Sequence, residues 1–124
     1  MGLTLRGVDY ARALQVRKRI EQRCEAALAA GLDAYVLPTS PMVAEVIASD
    51  PVNEPNNVIK FRNSMLFNHS YQPSLSVPNG FDDDGLPTGL MVTGALFQDA
   101  LVLRIGHTYQ QLTDFHLRRP AFSS

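Results

Sequence analysis

Two short segments in the second half of the chain alternate apolar and polar residues, the pattern of half-buried β-strands. In Ser74–Val77, the side chains of Leu75 and Val77 point to one side and those of the two serines to the other. Leu90–Thr93 repeats the alternation. Asn79–Pro87, between them, is dense in Gly, Asp, Asn and Pro, which break strands and form turns. The pattern predicts strand, turn and strand, most simply an antiparallel hairpin.

Two longer segments carry apolar residues three or four positions apart, the spacing of one helix face. The first helix begins at Thr4 or Asp9 and runs to about Ala30. The second begins at Gln98 or Asp99, because a carboxylate there favours the N-terminal end of a helix. The first stripe comprises Tyr10, Ala13, Leu14, Ile20, Cys24, Ala27 and Leu28, interrupted by Arg17, and the second comprises Leu101, Ile105, Thr108, Tyr109 and Leu112.

A short apolar strand follows the first helix directly. Gly31 is well placed to end that helix, and Leu32–Leu37 then reads as a buried strand that stops at a Pro-Thr-Ser-Pro turn. A helix, a glycine turn and a buried strand indicate an α/β arrangement. Ligand-binding and catalytic residues often lie in the loop after such a strand, so Thr39 and Ser40 are candidates for ligand contact. The simpler interpretation is that both hydroxyl groups belong to the turn.

The remaining segments carry weaker signals. Met42–Ala48 fits either a helical turn or an irregular segment, and Ser49–Asn57 is predicted to be a loop. Val58–Phe67 fits a helix of about ten residues, which would leave Asn68 in the loop before the hairpin. Thr113–Pro120 closes the chain, with Pro120 preventing further helix.

Length, composition and net charge limit the classes of protein to which the chain can belong. The chain has 124 residues, enough for one domain or part of one, and its 45% hydrophobic content is that of a folded protein. A net charge of −1 predicts no general attraction to nucleic acid or to an anionic membrane. No apolar run approaches the roughly 18 residues of a membrane span, and no secretory signal is evident. With a single cysteine, Cys24, placed in the first helical stripe as a packed thiol, we expect a cytoplasmic protein.

The acidic and histidine residues do not form a recognisable metal or catalytic motif. The triplet Asp82–Asp84 lacks the spaced oxygens and distal Glu of a calcium loop, so a solvated turn is the better interpretation. The three histidines have no common zinc spacing. A triad of His69 with Asp33 and either Ser40 or Ser70 is formally available, but no nucleophile elbow supports it.

Four groups of residues resemble motifs of the amidase signature family of amide hydrolases, and they occur in the family's order. The most specific group surrounds the hairpin, and together the four cover nearly the whole chain except Pro51–Arg62. In chain order they are Asp9-Tyr10, Ala13 and Arg17 with Asp33–Pro41; then Asn68, Gln72–Pro78, Gly80-Phe81, Gly85–Pro87, Gly89-Leu90 and Gly94; then Phe97, Asp99-Ala100 and Leu103-Arg104; and finally Tyr109, Thr113, His116 and Arg118–Pro120.

The resemblance implies a parent enzyme that hydrolyses a carboxylic amide without a cofactor, through an acyl-serine intermediate. In that family a serine nucleophile, a bridging serine in a cis peptide and a lysine base perform the reaction, and the serines lie in a Gly/Ser-rich stretch. This chain contains no such stretch, and its only lysines, Lys18 and Lys60, have no serine at a suitable spacing. We therefore expect residues 1–124 to be a single partial domain, the C-terminal part of the fold, with no catalytic residue and no activity alone.

The fold class implied is α/β: strands of a mixed sheet, including the β-hairpin, flanked by two long helices. In the parent family this part completes a large mixed sheet and one wall of the substrate funnel. The candidates for substrate binding are therefore Thr39, Ser40, Asn68, His69 and Tyr71. Tyr71 departs from the family, which usually has a glycine there, so it either changes the loop or marks a different pocket wall.

Two classes of function remain open from the sequence. The chain is either part of an amidase whose catalytic half lies elsewhere, or a self-standing binding or assembly module derived from one. In the first case a small amide is bound only together with the catalytic half. In both cases strands and helix faces that are buried in the parent fold become exposed. This predicts an exposed apolar patch, self-association or a partner chain. We expect no nucleic acid and no membrane as partners.

Overall fold

The computed structural model describes residues 4–46 and 57–119, and it is a mixed α/β structure. The helices and strands follow one another in the order α1 (Gly7–Ala29), β1 (Ala34–Pro38), α2 (Asn57–Lys60), α3 (Arg62–Ser70), β2 (Ser74–Phe81), β3 (Pro87–Gly94), α4 (Asp99–Leu112) and a short 3₁₀ helix (Phe115–Leu117).

The three strands form one antiparallel sheet in the order β1-β3-β2. The predicted hairpin is confirmed, and β3, its second strand, lies at the centre. Both hairpin strands are longer than the alternating pattern indicates. β2 continues past Pro78, where the pairing shifts by a bulge, and reaches Phe81. A proline is tolerated there because β2 lies at the sheet edge, where its missing N–H breaks no ladder hydrogen bond.

The acidic triplet forms the hairpin turn. The Asp82 carboxylate Oδ1 accepts the backbone N–H groups of Asp84 and Leu86 at 3.1 and 2.7 Å. Gly85 has a φ of 80°, the left-handed conformation that glycine adopts at no steric cost. The side chain of Asp82 is therefore part of the turn itself, as the turn interpretation requires.

Helices cover both faces of the sheet. On one face α4 packs against β2 and β3. The approach is close at Gly106, where an added Cβ would lie only 2.2 Å from Leu75 Cδ2. On the other face the ring of Phe67, in α3, lies 5.7 Å from the ring of Tyr35, in β1. The buried apolar side chains lie between these layers, namely Cys24, Leu28, Phe67, Val77, Met91, Val92 and Val102.

The first helix is confirmed, although only its C-terminal half is packed. Gly31, with a φ of 111°, ends it as predicted, and its N–H donates to Leu28 O. Among the stripe residues near the start, Tyr10 and Leu14 are 65% and 45% exposed. In the described part of the chain, no helix has both the length and the apolar content to cross a membrane.

The predicted single helix over Val58–Phe67 is wrong in its bounds. Phe61 has φ −101° and ψ 2°, outside helical geometry, and this residue separates α2 from α3. The second of these helices then continues to Ser70, so Asn68 and His69 lie in its last turn rather than in a loop. Residues 42–46 are irregular. The predicted loop over Ser49–Asn57 lies outside the described residues except for Asn57, which begins α2.

A polar junction ties α1 to both ends of the hairpin. The buried Gln72 donates from Nε2 to Glu25 Oε1 at 2.7 Å and accepts the Ser70 hydroxyl at 3.0 Å. The same Glu25 oxygen accepts the backbone N–H of Leu96 at 3.1 Å. We call this set of Ser70, Gln72, Glu25 and the Leu96 N–H the polar junction. It joins residues up to 71 positions apart in the chain.

We expect Gln72→Ala to lower the free energy of unfolding by about 1–3 kcal/mol, because it leaves the Ser70 hydroxyl and the Glu25 carboxylate without their amide partner. Urea unfolding followed by circular dichroism measures this loss. The matched control is Gln22→Ala, which makes the same chemical change at an exposed position of α1 and should stay within about 0.5 kcal/mol. Equal effects of the two substitutions would contradict the role of the junction.

Candidate functional site

An open groove of about 860 Å³ lies at the end of β1, where the chain leaves the sheet. One wall is the segment Pro38–Glu45, a second wall comes from the hairpin, and α2 and α3 supply the third. The polar side chains that line it are Thr39, Ser40, Glu45, Lys60, Ser64, Ser76, Asn79 and Thr88, and the apolar ones include Met42, Val43 and Phe61.

Thr39 is held in the groove by the sheet. Its N–H donates to Gly89 O at 2.8 Å, which extends the pairing of β1 with β3 by one residue. Its hydroxyl shares a hydrogen bond of 2.6 Å with the hydroxyl of Ser76. Gly89 makes this possible, because a Cβ at that position would lie 2.9 Å from both hydroxyl oxygens. The Thr39–Ser76 pair is therefore a fixed polar feature of the groove.

Ser40 also lines the groove, and its hydroxyl is engaged by the backbone. Ser40 Oγ donates to Lys60 O at 3.3 Å and accepts the N–H of Met42 at 3.4 Å. These are the contacts of a turn hydroxyl, and they join the segment after β1 to α2. Lys60 Nζ in turn lies 2.7 Å from Glu45 Oε2, so an ion pair spans the groove beside Ser40.

The groove contains serines and a lysine, yet the described contacts do not make a nucleophile and a base. A general base must be able to accept the nucleophile's proton, and the Lys60 ammonium is bound to a carboxylate. The triad with His69 is not assembled either. The Ser70 hydroxyl is fully buried and donates to Gln72, while Asp33 is exposed.

The other three candidates lie at the far end of α3 and do not line the groove. Asn68 follows Ser64, a groove residue, by one helical turn, which places both on the same side of the helix. His69 is exposed, and its backbone oxygen accepts Arg17 Nε at 3.1 Å. The structure thus brings Thr39 and Ser40 together and leaves Asn68, His69 and Tyr71 outside that group.

Tyr71 has a left-handed backbone, which explains why a glycine is expected at this position. It caps the C-terminus of α3 with φ 62° and ψ 15°, a conformation that costs a residue with a Cβ about 1–2 kcal/mol. The guanidinium of Arg17 stacks over the Tyr71 ring at 3.9 Å from its centroid. The loop therefore keeps the glycine-like conformation, and a stacked cation partly offsets its cost.

Cys24 is a packed thiol. It is 8% exposed and lies where α1 packs against α3, next to Ser70. Burial raises the pKa of the Cys24 thiol, the hydrogen bond to Ser70 lowers it in part, and the charge of Glu25 raises it again. Because the thiol's pKa is higher in the folded chain than in the unfolded one, its contribution to stability is complete below the ordinary thiol pKa and is lost as the pH rises through the folded value.

Sequence reasoning missed six of the eight polar side chains that line the groove. Ser76 carries a usable signal, since its place in the alternating strand puts it on the face opposite Leu75 and Val77. Glu45 and Lys60 carry none, because their ion pair joins an irregular segment to a short helix. Such pairs depend on how distant segments pack, which local patterns do not contain.

Comparison with known proteins places the chain among longer enzymes. The family model described as Amidase matches residues 3–103. The A subunit of a glutamyl-tRNA(Gln) amidotransferase from Synechococcus sp. is 36% identical over 112 residues, which are 90% of this chain and 23% of the relative. The matched region is the C-terminal part of such relatives. The chain thus spans about a quarter of their length.

Solved structures agree with this assignment. The peptide amidase from Stenotrophomonas maltophilia matches with a TM-score of 0.71 and 27% identity, over 98% of this chain and 24% of that chain. A 6-aminohexanoate cyclic dimer hydrolase matches in fold, with a TM-score of 0.81 and 23% identity, over 94% of this chain and 27% of that chain.

The stacking of Arg17 on Tyr71 predicts a measurable coupling. In a double-mutant cycle of Arg17→Ala and Tyr71→Gly, we expect the two changes to be non-additive by about 0.5–1 kcal/mol in unfolding free energy. Lys18→Ala, at the next position of α1, replaces Arg17→Ala in the control cycle and should be additive with Tyr71→Gly. Additivity in both cycles would show that the stacking of Arg17 on Tyr71 contributes nothing to the free energy of unfolding.

Burial and the raised pKa of Cys24 predict slow alkylation. At pH 8 we expect iodoacetamide to modify the folded chain at least about 10-fold more slowly than the chain in urea, since the thiolate is the reactive form. Mass spectrometry follows the reaction. A variant with Cys24→Ala and Gln22→Cys carries an exposed thiol on the same helix and should react at nearly the same rate in both states. Rapid labelling of folded Cys24 would refute the packed thiol.

Proposed function

This chain belongs to the amidase family, and we propose that it is the C-terminal part of an amide hydrolase that acts in the cytoplasm and takes its catalytic residues from outside these 124 residues. One observation carries this proposal. The match to the Synechococcus relative uses 90% of this chain but only 23% of the relative. About three quarters of the family's length is therefore unaccounted for by this sequence.

The chain's contribution to the enzyme is one wall of the substrate site. Its groove combines apolar surface from Met42 and Phe61 with the fixed hydroxyl pair of Thr39 and Ser76. A carboxylic amide fits such a wall, because its C=O and N–H groups take hydrogen bonds and its carbon groups can contact apolar surface. Thr39 and Ser40 are the substrate-side residues in this proposal. Asn68 extends the same wall along α3.

His69 and Tyr71 extend the proposed substrate-side surface to the C-terminal end of α3. Both are exposed, and Arg17 holds both in place through the His69 carbonyl and the Tyr71 ring. In this proposal they face a part of the substrate that lies away from the scissile amide. Their distance from the groove fits a role in substrate selection rather than in the reaction itself.

The reaction requires groups that the described residues do not supply. By resemblance to the family these are a serine nucleophile, a bridging serine and a lysine base. Removal of the nucleophile alone from a serine hydrolase costs on the order of 10⁴–10⁶ in turnover. Since the hydroxyl of Ser40 binds the backbone and Lys60 binds Glu45, neither replaces the missing pair. We therefore propose that the chain is inactive by itself.

A second candidate is a binding module without catalysis. The observation in its favour is that the groove is formed by this chain's own segments and that its walls are joined to one another by this chain's own hydrogen bonds. Such a groove is able to hold an amide-containing ligand without further protein. Binding without turnover, both alone and in the presence of the catalytic part of a relative, would distinguish this candidate from the enzyme part.

The test is a chimera. The matched C-terminal region of the Synechococcus relative is replaced by this chain, and the product is treated with a serine-reactive fluorophosphonate and assayed with a simple aryl amide. We expect one adduct, on a serine contributed by the relative, together with measurable hydrolysis. This chain alone should give no adduct and no hydrolysis above the uncatalysed rate.

Two controls define the outcome. Ser40→Ala in the chimera should leave the adduct in place, because Ser40 is not the nucleophile in this proposal. A stoichiometric adduct on this chain alone, removed by Ser40→Ala, would overturn the proposal and make Ser40 the nucleophile. A folded chimera that neither reacts nor hydrolyses the amide would favour the binding module.

A further inference from the structure

The lining of the groove contains two charged side chains, Glu45 and Lys60. The other described residues that line it are apolar or carry hydroxyl or amide groups, so these two supply its charge. Lys60 Nζ lies 2.7 Å from Glu45 Oε2, and the lysine and glutamate side chains are 22% and 32% exposed. The two charges therefore cancel in a place that is partly withdrawn from water.

The ion pair joins two walls of the groove. Glu45 belongs to the irregular segment that follows β1, whereas Lys60 is the last residue of α2. The Ser40 hydroxyl donates to the Lys60 backbone oxygen at 3.3 Å, which attaches the lysine to that same segment. Both charges are therefore carried by one connected unit, which also holds Thr39, the residue before Ser40.

The other polar groups of the groove are neutral. The hydroxyls of Thr39 and Ser76 share a hydrogen bond of 2.6 Å, and the Thr88 hydroxyl donates to the Asn79 amide oxygen at 2.8 Å. Hydroxyl and amide groups suit the C=O and N–H groups of an amide, which carry no net charge. They offer no counter-ion, so a charged ligand in this groove depends on the ion pair.

A charged ligand has to compete with the existing ion pair. A ligand carboxylate that binds Lys60 takes the place of Glu45 and leaves that side chain without its partner. A ligand ammonium that binds Glu45 does the reverse. Removal of one partner from a partly buried pair is unfavourable, because the remaining charge is neither fully hydrated nor compensated. An uncharged amide leaves the pair intact.

From this geometry, and resting on the proposed function, we propose that the Glu45–Lys60 ion pair determines substrate specificity. The groove accepts amides whose part in the groove is uncharged, and it rejects those that carry a carboxylate or an ammonium group there. The two residues select the substrate and take no part in the reaction. Rejection of the wrong ligand through a charge that it leaves unpaired is a general route to specificity.

The alternative is that the ion pair only ties the walls together. Helix α2 has four residues and ends at Lys60, so such a tie has an evident structural use. The two roles differ in what a substitution changes. Loss of a tie lowers kcat/KM for every amide by the same factor, whereas loss of one charge changes the ratio between charged and uncharged amides. A ratio measured in one preparation is also independent of the fraction of folded protein.

The test uses the chimera of this chain with the Synechococcus relative and three para-nitroanilides of matched acyl length, which end in a methyl, a carboxylate or an ammonium group. For the parent chimera we expect kcat/KM to be at least about 10-fold higher for the methyl-ended amide than for either charged one. Glu45→Gln leaves the Lys60 charge uncompensated, so it should raise the carboxylate-to-methyl ratio at least about 10-fold. Lys60→Gln should raise the ammonium-to-methyl ratio in the same way.

Two further variants serve as controls. The combination of Glu45→Gln with Lys60→Gln removes both charges, and both ratios should return to within about 3-fold of the parent values. Glu21→Gln makes the same chemical change in an ion pair with Lys18 on α1, outside the groove, and should leave both ratios unchanged.

Two results would overturn the specificity role. A parent chimera that hydrolyses the carboxylate-ended amide as fast as the methyl-ended one would show that the pair does not exclude charge. Equal losses for all three amides in Glu45→Gln would show that the pair is a tie only. Either result leaves the proposed function intact, since the methyl-ended amide is still hydrolysed by the parent chimera. A folded parent chimera that hydrolyses none of the amides would overturn the proposed function, and the specificity role would fail with it.

Discussion

The carboxylate of Glu25 is the point on which the described fold depends. One of its oxygens receives the amide of Gln72 before β2 and the backbone N–H of Leu96 after β3. The other described contacts of α1 are its packing on α3, the bond of Arg17 to the end of α3 and the Tyr35 hydroxyl on Cys24 O. Its first half buries no side chain. A charged group is suited to this task, since hydrogen bonds to a carboxylate are stronger than those between neutral groups.

The position of the candidate site follows from that attachment. Helix α3 lies against β1 through the contact of Phe67 with Tyr35, and Asn63 Nδ2, in its first turn, donates to Pro38 O at the end of that strand. The groove forms there because β1 leaves the sheet at Pro38 and Gly89 has no side chain to fill the space. The same strand end therefore carries Thr39 and Ser40, the two candidate residues that line the groove.

Within residues 4–46 and 57–119, two non-glycine residues have a left-handed backbone, and they differ in how their strain is offset. Tyr71 is stacked by Arg17, so this chain itself compensates the cost of a side chain at a glycine-like position. Phe97 makes no comparable contact within the described residues and is almost fully exposed. Strain that persists without local compensation is more often found at functional surfaces than in scaffolds. This contrast separates a residue whose backbone strain is offset by a contact within the chain from one whose strain is not offset within the described residues.

Local patterns in the sequence were sufficient for the hairpin, for α1 with its stop at Gly31, and for α4, because each depends on a short period or on one turn residue. They were also sufficient for the family, whose motifs lie in those same elements, and for two groove residues, Thr39 and Ser40. The tertiary structure alone decided the break at Phe61, the helical place of Asn68 and the ion pair between Lys60 and Glu45. The physical reason is that these features depend on contacts between segments far apart in the chain, and the free energy of such contacts is set by how the sheet and helices pack rather than by neighbours in sequence.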